Sequence, residues 1–219
     1  MNTKKLGMAF ANIFLYLFIG EIISYYLDKF IFFESTFWMN FYFLIAPLIA
    51  GTTIILLNQE LFKLIFQNFK KNYKQYIPLI IKYYFSGLIL MYLCNAIIMP
   101  FTNTLPENET TNRLLFNTLP IFSIINTLII APISEEIIFR GTFKKVFKQK
   151  QAFLIATSFL FGLLHVIFNG DFINIFPYAA LGYFLGKIYY ETDNILNSII
   201  AHAFHNALCI LLLFLGGIL

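Results

Sequence analysis

Hydrophobic and polar positions fall in blocks along this chain. Apolar runs cover about 6–27, 39–57, 76–99, 119–140, 152–168, 172–190 and 195–215, with short polar stretches between them. Each run is close to the ~20 residues that a helix needs to cross ~30 Å of hydrocarbon. In lipid the backbone must satisfy its own hydrogen bonds, and a helix does so. The predicted fold is therefore all-α: a polytopic membrane bundle of about seven transmembrane helices, forming one domain over 1–219. The stretch 58–76 breaks the pattern. Leu61, Leu64, Ile65 and Phe69 alternate there with Lys63, Gln67, Lys70 and Lys71. That periodicity predicts an amphipathic helix in the headgroup layer, or one that meets a partner. The stretch 100–117 is polar and contains Pro106, and is expected to be the longest loop.

Composition supports the membrane assignment. The chain is 59% hydrophobic and 12% charged, about half the charged fraction of a soluble domain. The net charge of +4 matters less than its placement. Lys4 and Lys5, then Lys63, Lys70, Lys71 and Lys74, then Lys144, Lys145, Lys148 and Lys150, and finally Lys187 all fall on one side of a seven-span bundle. That side is expected to be cytoplasmic. The other side carries the acidic or mixed stretches 28–34, 107–113 and 169–171. The protein should sit in the cell membrane as a multi-pass chain with its N-terminus inside.

Lys4 and Lys5 precede a run with no small-residue cleavage site, so it reads as a first span rather than a signal peptide. Asn108-Glu109-Thr110 matches a glycosylation acceptor, but the lysine-, asparagine- and phenylalanine-rich style is bacterial, which discounts it. The basic residues are not interleaved with exposed aromatics, which argues against nucleic acid as a partner. Cys94 and Cys209 lie in different runs without metal-type spacing and read as buried apolar residues.

Against this background the polar residues inside the spans stand out. Glu135 and Glu136 are adjacent, in a run otherwise expected to be embedded, and a carboxylate in hydrocarbon costs several kcal/mol unless paired or hydrated. All three histidines, His165, His202 and His205, lie downstream within predicted spans. Glu21 and Lys82 also fall in spans, near enough to the ends to snorkel. Glu136 and Arg140 are four apart and can pair on one helix face. Glu135 is turned about 100° away and is free to point elsewhere. His202 and Asn206 likewise share a face. A hairpin of spans four and five turning near Gln149 and Lys150 brings Glu135 level with His165. The expected result is a polar cavity inside the bilayer, nearer the cytoplasmic face. Pro132, just before the carboxylates, removes a backbone bond and can free a carbonyl to face that cavity.

A carboxylate level with two imidazoles and an amide suits hydrolysis by activated water. Two mechanisms stay open: Glu135, His165 and His202 hold a divalent metal, zinc being the natural choice, or Glu135 deprotonates water directly. Asn206 can donate to a developing oxyanion. No serine or cysteine nucleophile is indicated.

In order along the chain these residues read Glu135-Glu136-Ile-Ile-Phe-Arg140, Phe161-Gly-Leu-Leu-His165 and His202-Ala-Phe-His-Asn206. Together they resemble the EExxxR, FxxxH and HxxxN signature of the CAAX-protease and bacteriocin-processing (CPBP, or Abi) family of intramembrane proteases, over about 119–215. The resemblance implies an α-helical intramembrane endopeptidase with Glu135, Glu136, Arg140, His165, His202 and Asn206 at its centre. It implies a peptide or small membrane protein as substrate, cut near the cytoplasmic leaflet. It also implies an alternative, a non-catalytic bacteriocin-immunity or regulatory protein on the same scaffold. A proton-coupled transporter is the third reading, and it lacks the inverted repeats expected of one. His205 and the first hundred residues carry no assigned role.

Overall fold

The computed structural model describes residues 36–57, 59–102, 107–167 and 170–215, together with 11, 14 and 18. The rest of the first expected span, Glu21 and the stretch 28–34 lie outside the described residues. Among the described residues from Thr36 onward, seven helices follow in order: α1 (Thr36–Leu57), α2 (Gln59–Ile98), α3 (Glu107–Thr118), α4 (Pro120–Thr142), α5 (Lys150–Val166), α6 (Ile175–Thr192) and α7 (Ile195–Phe214). The described residues contain no strand. Among the described residues, three segments are long and apolar enough to cross a membrane: Ile65–Phe101, Pro120–Thr142 and Ile195–Phe214. Six of the seven expected spans thus have a helical counterpart.

Two expectations are corrected. The amphipathic stretch 58–76 is not a separate surface helix, because α2 runs on without a break through Pro78 for 40 residues, about 60 Å. No glycine interrupts it before Gly87, and the Asn194 side chain donates to the Ile65 carbonyl (2.9 Å), tying its lysine-bearing half to the start of α7. The polar stretch 100–117 is likewise not all loop, since α3 occupies most of it. Glu109 and Arg113 stand one turn apart there, the spacing at which opposite charges support a helix.

Helices α2, α5, α6 and α7 form the main packed body, with α6 against both α2 and α5. The α5–α6 contact depends on a small residue. A Cβ on Gly162 would sit 2.6 Å from the Ile175 carbonyl oxygen. With lipid on the outside there is little hydrophobic drive between helices, so backbones meet where small residues let them. One apolar cluster joins Ile54, Ile137, Ile138, Phe139, Phe161, Ile195 and Ile199. At the lysine end, Lys144 pairs with Asp193 and Lys150 with Glu191, clamping the ends of α4 and α5 to the end of α6.

Helix α4 carries the paired carboxylates and is not uniform. Its turns widen to π geometry at Asn126–Ile130 and again at Ile137–Thr142, on either side of Ala131–Glu136. Such insertions often accompany functional sites. Here the first one has a local cause. The Ala131 N–H bonds to Asn126, five residues back. The next residue in that register is Pro132, which has no N–H. The Thr127 carbonyl is thereby left without a backbone donor. The expected freed carbonyl exists, and it is Thr127.

Candidate functional site

A cavity of about 330 Å³ lies between α2, α3, α4, α5, α6 and α7. Glu135, Phe161, His165, His202, His205 and Asn206 all line it. Five of these come from the three sequence patterns, and His205 joins them as wall. A volume of this size is typical of a ligand pocket.

The adjacent glutamates separate as their 100° offset requires. Glu136 turns away from the cavity into a fully buried network. Arg140 Nη1 lies 3.2 Å from Glu136 Oε1, His202 Nδ1 lies 3.1 Å from the same oxygen, and the Ser198 hydroxyl donates to Oε2. Arg140 Nη2 donates to the Gly182 carbonyl (2.8 Å), and the guanidinium stacks 4.7 Å from the Phe161 ring centre. A buried carboxylate with this many donors is held as the anion, which requires His202 Nδ1 to carry the proton. His202 Nε2 is then the basic nitrogen. It stands 4.0 Å from Glu135 Oε2. That gap is too long for a hydrogen bond and suits a shared water.

His165 is oriented in the same manner. Its Nδ1 lies 2.8 Å from the Phe161 carbonyl, so Nδ1 donates and Nε2 keeps its lone pair. The ring stacks on Tyr178 at 4.6 Å between centres and leans on Phe161 at the same separation. Asn206 Nδ2 donates to the stranded Thr127 carbonyl at 2.8 Å, leaving its second N–H available. His205 is buried with Nδ1 lacking a hydrogen-bond partner, and its Nε2 lies 3.6 Å from Cys209 Sγ. Tyr84 meets its ring edge-on.

Glu135, His165 and His202 have the chemistry of a divalent-metal donor set, each imidazole already turned by a bond at Nδ1. Their positions do not match it. Among the described residues, no three His, Cys, Asp or Glu side chains are grouped to hold a metal ion.

Several contributors carry no signal in the sequence patterns. Ser198 and Gly182 complete the Glu136–Arg140 network from α7 and α6. A Cβ on Gly182 would lie 3.0 Å from Phe161 Cδ1 and 3.3 Å from Arg140 Nη2. Tyr178 supports His165, while Glu109, Asn112 and Arg113 of α3 line the outer part of the cavity. Burial pushes the Glu109 carboxyl above the usual range, against an opposing pull from Arg113.

The model of the type II CAAX prenyl endopeptidase Rce1-like family matches residues 117–208, which contain every one of the patterned residues. Residues 117–208 are thus similar to the Rce1-like family. The Rce1-like segment begins just before α4 and ends within α7. Among curated proteins, the chain is 28% identical to UPF0177 protein YbdI of Lactococcus lactis, over 67% of this chain and 82% of that protein. It is 37% identical to UPF0177 protein YxdF of the same organism, over 34% of this chain and 41% of that one. A Mycoplasma capricolum protein described as uncharacterized is 34% identical over 41% of this chain and 27% of its own length. No solved structure matches.

Proposed function

We propose that this protein is an intramembrane endopeptidase in which Glu135 activates a water held between its carboxylate and His202 Nε2. The observation that carries this is the 4.0 Å separation of those two atoms in the cavity wall, with the imidazole locked from behind by Glu136. Glu135 takes the water proton as the oxygen attacks the scissile carbonyl carbon. Asn206 offers its remaining N–H to the oxyanion, and His165 Nε2 accepts a hydrogen bond from the water or the peptide. When the tetrahedral intermediate collapses, the C–N bond breaks. The proton then passes from Glu135 to the leaving amine. Glu136 and Arg140 act as positioning residues through His202. The Rce1-like match supports a CAAX-protease-like scaffold, and the substrate is a peptide or a small membrane protein.

The test is cleavage of a pooled peptide set by purified protein, compared with Glu135→Gln and His202→Ala, each with and without a chelator. The reading predicts loss of cleavage in both variants, with normal insertion. Indifference to chelator favours the direct glutamate route; loss with chelator, restored by zinc, means that the donors converge on a metal in the working enzyme. Cleavage retained in Glu135→Gln rejects the assignment. A biological effect that survives in Glu135→Gln points to the immunity or regulatory role.

A further inference from the structure

The patterned residues do not lie midway along the route by which a substrate could reach them. Glu135 is seven residues from the lysine end of α4, about 10 Å, and fifteen from its other end, about 22 Å. Depth alone suggests access from the lysine side. The packing closes that side. Between Glu135 and the lysine end lie Glu136, Arg140 and Ser198, all fully buried, with Ile137, Ile195 and Ile199 around them. Opening a passage there would pull an ion pair and its donors apart.

Among the described residues, the walls of the cavity extend the other way. Helix α2 contributes residues from Leu88 to Asn95, near its far end, and α6 contributes Pro177 to Leu181, near its start. The part of α7 that lines the cavity runs from His202 to Leu213, away from the lysines. The far rim is polar, with Glu109, Asn112 and Arg113 from α3 and Asn174 before α6. A polar rim above an apolar shaft suits an extended polypeptide, whose backbone needs hydrogen-bonding groups as it leaves water.

We infer that the cavity is served from the face opposite the lysines, which the lysine asymmetry puts outside the cytoplasm, so that the substrate is a polypeptide segment presented on the non-cytoplasmic side. That the segment is cut rests on the proteolytic reading; the route does not.

The test uses thiol labelling of the full-length chain in intact cells and in inverted vesicles, with a charged, membrane-impermeant reagent. Cys94→Ser leaves Cys209, in the cavity wall, as the reporter. In a Cys94→Ser/Cys209→Ser background, Met91→Cys reports from the facing wall, Asn112→Cys marks the rim, and Lys148→Cys marks the opposite end. The expected result is that Cys209 or Met91→Cys reacts in intact cells along with Asn112→Cys, an order of magnitude faster than in inverted vesicles, while Lys148→Cys shows the reverse. Reaction of the wall reporters from the Lys148 side overturns the inference, as does failure of both to react from the outside. Labelling requires no turnover, so it stands apart from any failure to find cleavage.

Discussion

Asn206 on α7 donates its amide N–H to the carbonyl of Thr127 on α4 at 2.8 Å, and Thr127 is the carbonyl that Pro132 leaves without a backbone donor. A proline in one helix is thus answered by an amide from another. The same asparagine faces the cavity in which Glu135 and His202 meet.

The pairing predicts coupled energetics. Asn206→Ala strands a carbonyl at membrane depth and should cost about 1–2 kcal/mol of stability. Pro132→Ala restores an N–H at the position that the π register aims at Thr127. In that background the cost of Asn206→Ala should fall towards zero. Denaturant unfolding in micelles of the two single variants and the double variant measures the coupling.

The two glutamates should separate cleanly. Glu135→Gln lines the cavity and should leave the unfolding midpoint near that of the parent while cleavage is lost. Glu136→Ala strands the buried Arg140 guanidinium and should cost about 3–5 kcal/mol. Midpoints measured beside turnover decide this. Equal destabilisation by the two substitutions would contradict the division of roles.

Gly162→Ala puts a methyl 2.6 Å from the Ile175 carbonyl oxygen, which is backbone and cannot swing aside. Helices α5 and α6 must move apart, at a cost of about 1–3 kcal/mol. Gly170→Ala serves as the control for space alone, since nothing lies within 4 Å of its added Cβ, although its φ of +71° adds local backbone strain. The larger loss of stability should come from Gly162→Ala.

The Lys150–Glu191 pair at the lysine end titrates. The hydrogen bond to Glu191 raises the Lys150 ammonium above its ordinary range, although the group is close to solvent. A raised folded-state value for a cationic group means that the stabilisation is fully present below the unfolded lysine range, near ~10.4, and is lost as pH rises through the folded value. Glu191→Gln should therefore cost less than about 1 kcal/mol at neutral pH. The difference from the parent should vanish in strongly alkaline buffer, as thermal unfolding across pH would record.

Much of the molecule was legible in order along the chain. The apolar runs locate α1, α4, α5, α6 and α7, because a helix in lipid needs an unbroken apolar surface of set length. The i, i+4 spacing of Glu136 and Arg140 announces their pairing, because helical geometry is local. The spacing of the three patterns marks Glu135, His165, His202 and Asn206 as candidates for one site. The continuity of α2 through Pro78 was not legible, nor was the helical character of α3. The first depends on a neighbour, Asn194 holding Ile65; in the second, the one-turn spacing of Glu109 and Arg113 is outweighed in the sequence by the polar composition of the stretch and by Pro106.

The sequence by itself determined the all-helical membrane architecture and singled out the candidate residues, since length, periodicity and the cost of charge in hydrocarbon act along a single segment. Tertiary structure alone decided that Glu136 faces Ser198 and His202 while Glu135 faces the cavity, that Asn206 answers Pro132, and that the residues lining the cavity extend away from the lysines. Those outcomes depend on the rotation and depth of each helix against the others. Contacts such as Gly162 on Ile175 and Arg140 on Gly182, between residues far apart in the chain, set that rotation and depth.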